Sequence, residues 1–271
     1  MMILRENLKK LTLSVVICWI VLAIIFGLSD LEISITLVDR DSIWANIGKY
    51  YGEAPGYGII AMALAILIGK SKEEIKKQRL ASYIIILIGV VFLIIAIIVS
   101  SLWFVTFGGG IILVMVIFLI LTHNEDLNQY KTIAIVILLL AIINPLIFVQ
   151  ITKIMCGRVR FNDLSPGYSN YTPWFLPPGP LSGIQGNASF PSGHTAMAWM
   201  FLPLLILVRE RKWKDPIRIL TTLFAIGFGL FMGLSRIVTG DHFASDVLFS
   251  SAVAIIATIW LYKRYYIDKN N

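Results

Sequence analysis

The sequence predicts an all-α fold, a polytopic integral membrane bundle of about eight transmembrane helices. Three observations predict it. Hydrophobic residues make up 58% of the 271-residue chain and charged residues only 14%, against about 25% in soluble domains. Several apolar runs approach or exceed the roughly 18 residues that read as a span. The lysines and arginines gather in alternate loops, which accounts for the net charge of +7 without a nucleic-acid partner.

Residues 11–28 form the first span, preceded by Arg5, Lys9 and Lys10. A cleaved signal peptide is the alternative for a basic start before an apolar run, and the length of this run favours a span. Within 29–56, Ile43, Trp44, Ile47 and Tyr51 recur at helical spacing after Asp41-Ser42. That predicts a short amphipathic helix, either at the membrane surface or folded over the bundle. Residues 54–69 make a short second span and 82–105 a third. Gly108-Gly109-Gly110 permits a tight turn, and 111–122 returns as a short fourth. If 82–122 were a re-entrant hairpin, the count would be six. The fifth span, 132–150, contains Pro145 and is expected to kink. A polar loop, 151–193, leads to the sixth span, 194–208, with Pro203 inside it; the seventh is 219–235 and the eighth 246–262. No repeat or linker divides the chain, so residues 1–271 are expected to be a single membrane domain. Cys18 lies in the first span and Cys156 in the long loop, so no disulfide is expected.

Orientation follows from the basic residues. The N-terminus, 70–81, 123–131, 209–218 and the tail hold 17 of the 23 lysines and arginines, which predicts that both termini are cytoplasmic. The other side holds Arg40, Lys49, Lys153, Arg158, Arg160 and Arg236. Positive charge on the disfavoured side suggests an anion to be bound.

Three stretches converge on that outer side. One runs from Lys153 to Phe161, one is Pro191-Ser192-Gly193-His194, and one is Ser235 to Asp246. They bring together cations, two of the chain's three histidines (His194 and His242, with His123 elsewhere), a carboxylate, and the free backbone amides of a helix start, which favour anions. Ser192 is placed both to cap that helix and to donate to an anion. His242 and Asp246 are four apart, on one face if the helix has begun there. A carboxylate beside an imidazole fixes its tautomer. Singly each piece has an ordinary reading, such as a lysine snorkelling to head groups; their convergence at one depth does not. Histidines, cysteines and carboxylates are too few in register for a metal cluster.

These residues resemble the type-2 phosphatidic acid phosphatase superfamily, which shares its site with vanadium haloperoxidases. Its pattern is Lys-x6-Arg-Pro, then Pro-Ser-Gly-His, then Ser-Arg-x5-His-x3-Asp. The second and third motifs match at every specified position. The first matches at Lys153 and Arg160, with Phe161 where proline is usual. The motifs lie within 153–246; the first half of the chain carries no signature, and its extra pair of spans departs from the six-span bacterial lipid phosphatases. The resemblance implies hydrolysis of a phosphomonoester or pyrophosphate through a phosphohistidine, with no cofactor and no metal. His242 would be the nucleophile, Asp246 its orienting partner, and His194 the general acid and then base. Lys153, Arg160, Arg236, Ser192 and Gly193 would hold the phosphate oxygens; Arg158 is a further candidate for that set, which the motif does not require.

The expected substrate is a lipid phosphate or polyprenyl pyrophosphate, met among membrane lipids at the outer face of a prokaryotic cell membrane. No obligate protein partner is expected. The loop 162–190, with Tyr168, Tyr171, Trp174 and Phe175, is expected to roof the site. A transferase of the same superfamily would differ by depending on an acceptor other than water. A transporter is the reading from another class, and the absence of charge from 11–28, 82–105 and 219–234 argues against a through-path. On the expected topology, a membrane-impermeant thiol reagent added to intact cells should label Cys156 and not Cys18. Labelling of Cys156 only in inverted membranes would overturn the orientation.

Overall fold

The computed structural model describes residues 2–69, 74–180 and 188–268, with side chains from Glu6 onward. Part of the expected basic loop (70–73), part of the long loop (181–187), the side chain of Arg5 and Lys269 lie outside the described residues. Among the described residues every regular element is helical. Seven helical segments are long and apolar enough to cross a membrane, and Gly193–Leu207 is a shorter apolar one. The protein is therefore multi-pass.

Helix α1, Met2–Leu37, runs well past the expected first span. Its Ala23, Gly27, Asp30 and Ser34 are buried at helical spacing, on the face turned to α12 (Ala244–Tyr262). Leu13, Ile17, Ile24 and Leu28 lie on the exposed side, as expected where the solvent is lipid. The amphipathic helix is α2, Ile43–Tyr51, and it is folded over the bundle against α11 (Pro216–Val238). Gly48 and Gly52 make that possible: a Cβ on Gly48 would lie 2.4 Å from Ser235 Oγ, and one on Gly52 2.1 Å from Met232 Sδ.

Helix α3, Ala54–Gly69, is central. It buries Gly56, Gly58, Ala61, Ala63 and Ala65 and exposes Leu64 and Ile68, the small-inside pattern of membrane helices. A single turn, α4 (Ile75–Gln78), leads to α5 (Leu80–Val99) and α6 (Leu102–Leu121). Here the expected boundary moves. The chain reverses at Ser100-Ser101, where Ser100 takes a left-handed φ of 49°, and the three glycines sit inside α6. A Cβ on Gly108 would lie 2.6 Å from Gly89 O of α5, and one on Gly110 2.1 Å from Ala54 O of α3. The glycines permit close backbone approach on two sides rather than a turn. Each of α5 and α6 has 20 residues, about 30 Å of helix, which is a crossing length rather than that of a re-entrant hairpin.

Helix α7, Lys131–Ala141, passes through a π-helical stretch, Ile142–Phe148, into α8, Val149–Cys156. Pro145 lies in the π stretch, a known way for a helix to absorb the missing N–H. The expected sixth span is not one continuous helix. It is α9 (Gly193–Ala198), a 3-10 turn at Trp199–Phe201 and α10 (Leu204–Leu207), separated at Pro203. This broken segment belongs to the core, with Ala196, Ala198 and Met200 fully buried.

Candidate active site

The third motif turns the chain from α11 into α12. Arg236 is in the last turn of α11, and its carbonyl accepts from the N–H groups of both Asp241 and His242, each at 3.2 Å. Gly240 makes the bend with a φ of 70°, and a Cβ there would meet Asn162 Oδ1 at 2.4 Å, so only glycine serves. Helix α12 begins at Ala244. His242 therefore precedes the helix, and the expected helical pairing with Asp246 is replaced by a loop facing a helix start. Asp246 accepts the Phe243 N–H at 2.8 Å, closing the first turn as a cap.

His242 is buried, and its Nδ1 lies 2.5 Å from the Ser189 carbonyl and 3.6 Å from Asp246 Oδ2. Both are acceptors, so the proton sits on Nδ1 and Nε2 keeps its lone pair. Burial pushes the imidazole well below its usual range; Asp246 opposes this, and Lys153 and Arg236 reinforce it. The ring is held neutral, as a nucleophile requires. The closest tie to His242 is thus Ser189, with Asp246 acting partly through it: Ser189 Oγ donates to Asp246 Oδ2 at 2.5 Å.

Arg158 does not join a phosphate cradle. It is 1% exposed and spans two carboxylates, with Nη1 2.7 Å from Asp246 Oδ1 and Nη2 3.0 Å from Asp30 Oδ2 on α1. Its Nε donates to the Thr172 carbonyl at 2.9 Å, Nη1 also donates to Ser245 Oγ at 2.8 Å, and the guanidinium lies 4.1 Å from the Phe243 ring centroid. Removing it would strand two buried carboxylates, a loss of about 3–5 kcal/mol.

Arg160, two residues on, meets different partners. Its φ and ψ are −75° and 154°, the conformation a following proline imposes, so Phe161 leaves the backbone at Arg160 as proline would. Phe161 instead stacks on Tyr168 at 5.7 Å. Arg160 Nη1 lies 3.9 Å from Asp241 Oδ1, Arg236 Nη2 2.9 Å from Asp241 Oδ2, and Lys49 Nζ of α2 3.1 Å from the same oxygen. One carboxylate faces three cations. Burial opposes ionisation of Asp241, but Arg236 and Lys49 prevail and hold its carboxyl below the usual range. Arg160 Nε, Arg236 Nε and Arg236 Nη1 remain buried without a hydrogen-bond partner. Lys153, in the last turn of α8, comes close to the second motif: a Cβ on Gly193 would lie 3.9 Å from its Nζ.

Ser192 caps α9, its Oγ accepting from Thr195 N at 3.4 Å and Thr195 Oγ1 at 2.9 Å, and its N–H donates to the Asp246 carbonyl at 3.1 Å. The second and third motifs are thereby joined through main chain. His194, the second residue of α9, has Nδ1 3.0 Å from Glu53 Oε1 and Nε2 3.1 Å from the Lys49 carbonyl. The structure thus gathers Lys153, Arg160, Ser192, Gly193, His194, Arg236, His242 and Asp246 at one end of the bundle.

Four contributors went unread in the sequence: Asp30, Glu53, Ser189 and Asp241. Asp241 directly precedes His242, which was the available signal for it; Asp30, with Glu32 two residues on, and Glu53 carry no local mark of a role. The loop aromatics hold the loop to the bundle. Trp174 Nε1 donates to the Ala23 carbonyl at 2.9 Å, its ring lies 4.7 Å from that of Phe249, and Tyr171 meets Phe243 at 5.5 Å. Among the described residues no group of three or more His, Cys, Asp or Glu side chains is placed to hold a metal ion.

A family model described as the PAP2 superfamily matches residues 134–269, about half of the chain. The curated undecaprenyl-diphosphatase BcrC of Bacillus subtilis (strain 168) is 44% identical over 70 residues. That match covers 26% of this chain and 32% of the relative, so the chain spans about a third of that protein's length. No solved structure matches. Asp30, Lys49 and Glu53 all lie outside the family-matched residues.

The unpaired guanidinium donors should take up a tetrahedral or trigonal oxyanion. Vanadate should bind the purified protein, and Arg236→Gln should weaken it by about tenfold or more, since a hydrogen bond to a charged group is worth roughly 1.5–3 kcal/mol. Calorimetric titration measures both; equal affinity in the variant would show that Arg236 does not face the anion.

Proposed function

The chain belongs to the PAP2 superfamily, and from that premise we propose that it hydrolyses a lipid phosphate or polyprenyl diphosphate at the outer membrane surface, through a phosphohistidine on His242. The observation that carries this reading is the set of buried guanidinium N–H groups left unpaired on Arg160 and Arg236. A buried donor without a partner costs about 1–3 kcal/mol, and more when charged, so such a set is stable in use only around an anion. Asp241 offsets part of the positive charge and fixes the direction of Arg236 and Lys49.

The chemistry follows from the residues. His242 Nε2 attacks the terminal phosphorus as the bond to the leaving oxygen breaks, and His194 gives that oxygen a proton. Water then attacks the phosphohistidine, its proton passes to His194, and the N–P bond breaks to release orthophosphate. Arg160, Arg236 and Lys153 hold the non-bridging oxygens, where preorganised donors act on the charge that develops. Asp246 and Ser189 keep the Nδ1 proton in place through both steps.

A lipid substrate is supported by a groove of about 510 Å³. It begins at Glu53 and Gly193 and continues past Tyr57 and Met197 to Leu64 and Leu138. From residue 53 to residue 64 is about 16 Å of helix, so a chain lying in the groove would run along the bilayer while its head group sits at His242. The relative's name, undecaprenyl-diphosphatase, suggests a polyprenyl diphosphate within that class. The outward placement rests on the distribution of lysine and arginine.

Phosphate release by the purified protein, from polyprenyl diphosphate and from phosphatidic acid, tests the proposal. Release should persist in a chelator and vanish in His242→Ala. Activity lost on chelation and restored by a divalent ion would replace the phosphohistidine route with metal-assisted hydrolysis.

A further inference from the structure

We propose that Glu53 is the positioning residue of His194, fixing its imidazole so that Nε2 presents the proton to the leaving group; this rests on the phosphatase reading above. Glu53 comes from the junction of α2 and α3, outside the family-matched residues 134–269. Its Oε1 lies 3.0 Å from His194 Nδ1, and its Oε2 accepts from Tyr57 Oη at 2.7 Å. The carboxylate is thus held at both oxygens, with Tyr57 setting the direction in which it meets the ring.

Both nitrogens of His194 face oxygen acceptors, the Glu53 carboxylate at Nδ1 and the Lys49 carbonyl at Nε2. Neither acceptor has a hydrogen to give, so this is a surrounding for a ring that is itself the donor. During the first step the Nε2–H turns from its hydrogen bond with the Lys49 carbonyl to the leaving oxygen and gives it the proton as the P–O bond breaks. The ring is then neutral, with Nδ1–H retained by Glu53 and the Nε2 lone pair turned to the site. That is the form able to take the proton of the attacking water, after which the starting state is restored. A carboxylate on Nδ1 serves both halves, by stabilising the charged ring and by keeping the neutral one in a single tautomer.

The placement is written in Gly48 of α2 and Gly52 at its C-cap. Because Gly48 and Gly52 press on Ser235 and Met232, α2 lies against the last turns of α11, beside Arg236. Gly56 continues the same face, and a Cβ there would lie 2.8 Å from the Met197 carbonyl of α9. The same close contact delivers the Lys49 carbonyl and Glu53 to His194 and Lys49 Nζ to Asp241. A face of larger residues would hold both away from the site.

The test compares single-turnover P–O cleavage by wild type, Glu53→Gln and Glu53→Ala on an alkyl phosphate and on a nitrophenyl phosphate. The first leaving group needs a proton and the second departs without one. Glu53→Ala should lose about 100-fold on the alkyl phosphate and less than about tenfold on the nitrophenyl phosphate, within the range of general acid catalysis. Glu53→Gln keeps an acceptor oxygen without the charge and should fall between. Vanadate affinity should not fall in either variant, because no cradle donor is removed and the lost Glu53 charge was a negative neighbour of Lys153 and Arg236. Equal losses on both substrates, no loss on either, or vanadate binding lost together with rate would overturn the assignment of Glu53 alone. A wild type that cleaves neither phosphate would overturn the phosphatase reading and this inference with it.

Discussion

Two buried carboxylates, Asp30 and Asp246, share the single guanidinium of Arg158, and much of the site's geometry depends on that sharing. An ionised carboxylate in an apolar interior is tenable only when it is paired and hydrogen-bonded. With Arg158 in place, Asp246 remains an acceptor for Ser189 Oγ and the Phe243 N–H. Those bonds fix the Ser189 carbonyl on one side of His242 and the start of α12 on the other. Asp30 reaches the same guanidinium from α1 and also accepts the Ser245 N–H at 2.9 Å, so the first helix is tied to the last. The orientation of one imidazole is therefore set by contacts that cross nearly the whole sequence.

Around this neutralised pair the same end of the bundle keeps a surplus of positive charge. Asp241 meets Lys49, Arg160 and Arg236 but cannot satisfy all their donors, and Lys153 is left without an ion pair among the described residues. Two arginines close in sequence are used differently: Arg158 is buried between two carboxylates, and Arg160 keeps a buried Nε without a hydrogen-bond partner, the donor proposed to meet an anion.

The last half of the chain was largely legible in sequence because its residues act through local spacing. Ser192 caps the helix that carries His194, Arg236 ends a helix, and Asp246 begins one, and each of these follows from rules that span a few residues. The glycines of 108–110 were misread because tight turns and close helix packing ask for the same residue, and only the neighbouring helices decide between them. The break in 194–208 was partly visible in Pro203, but its 3-10 turn at Trp199–Phe201 depends on packing in the core. Asp30 and Glu53 could not be assigned, because their partners are 128 and 141 positions away and nothing local names them. The apolar periodicity of 43–51 foretold α2, and it left open whether the helix lay on the membrane or on the bundle. Gly48 and Gly52, against α11, settle that in favour of the bundle.

The central claim is that His242 takes the phosphoryl group while His194 manages protons, and trapping the intermediate tests it most directly. His194→Ala, mixed with a nitrophenyl phosphate, should still be phosphorylated and should then stall, since water lacks its base. Mass spectrometry should find acid-labile phosphate on His242 in that variant and none in His242→Ala. Phosphate trapped in His242→Ala but absent from His194→Ala would contradict the account and exchange the two roles.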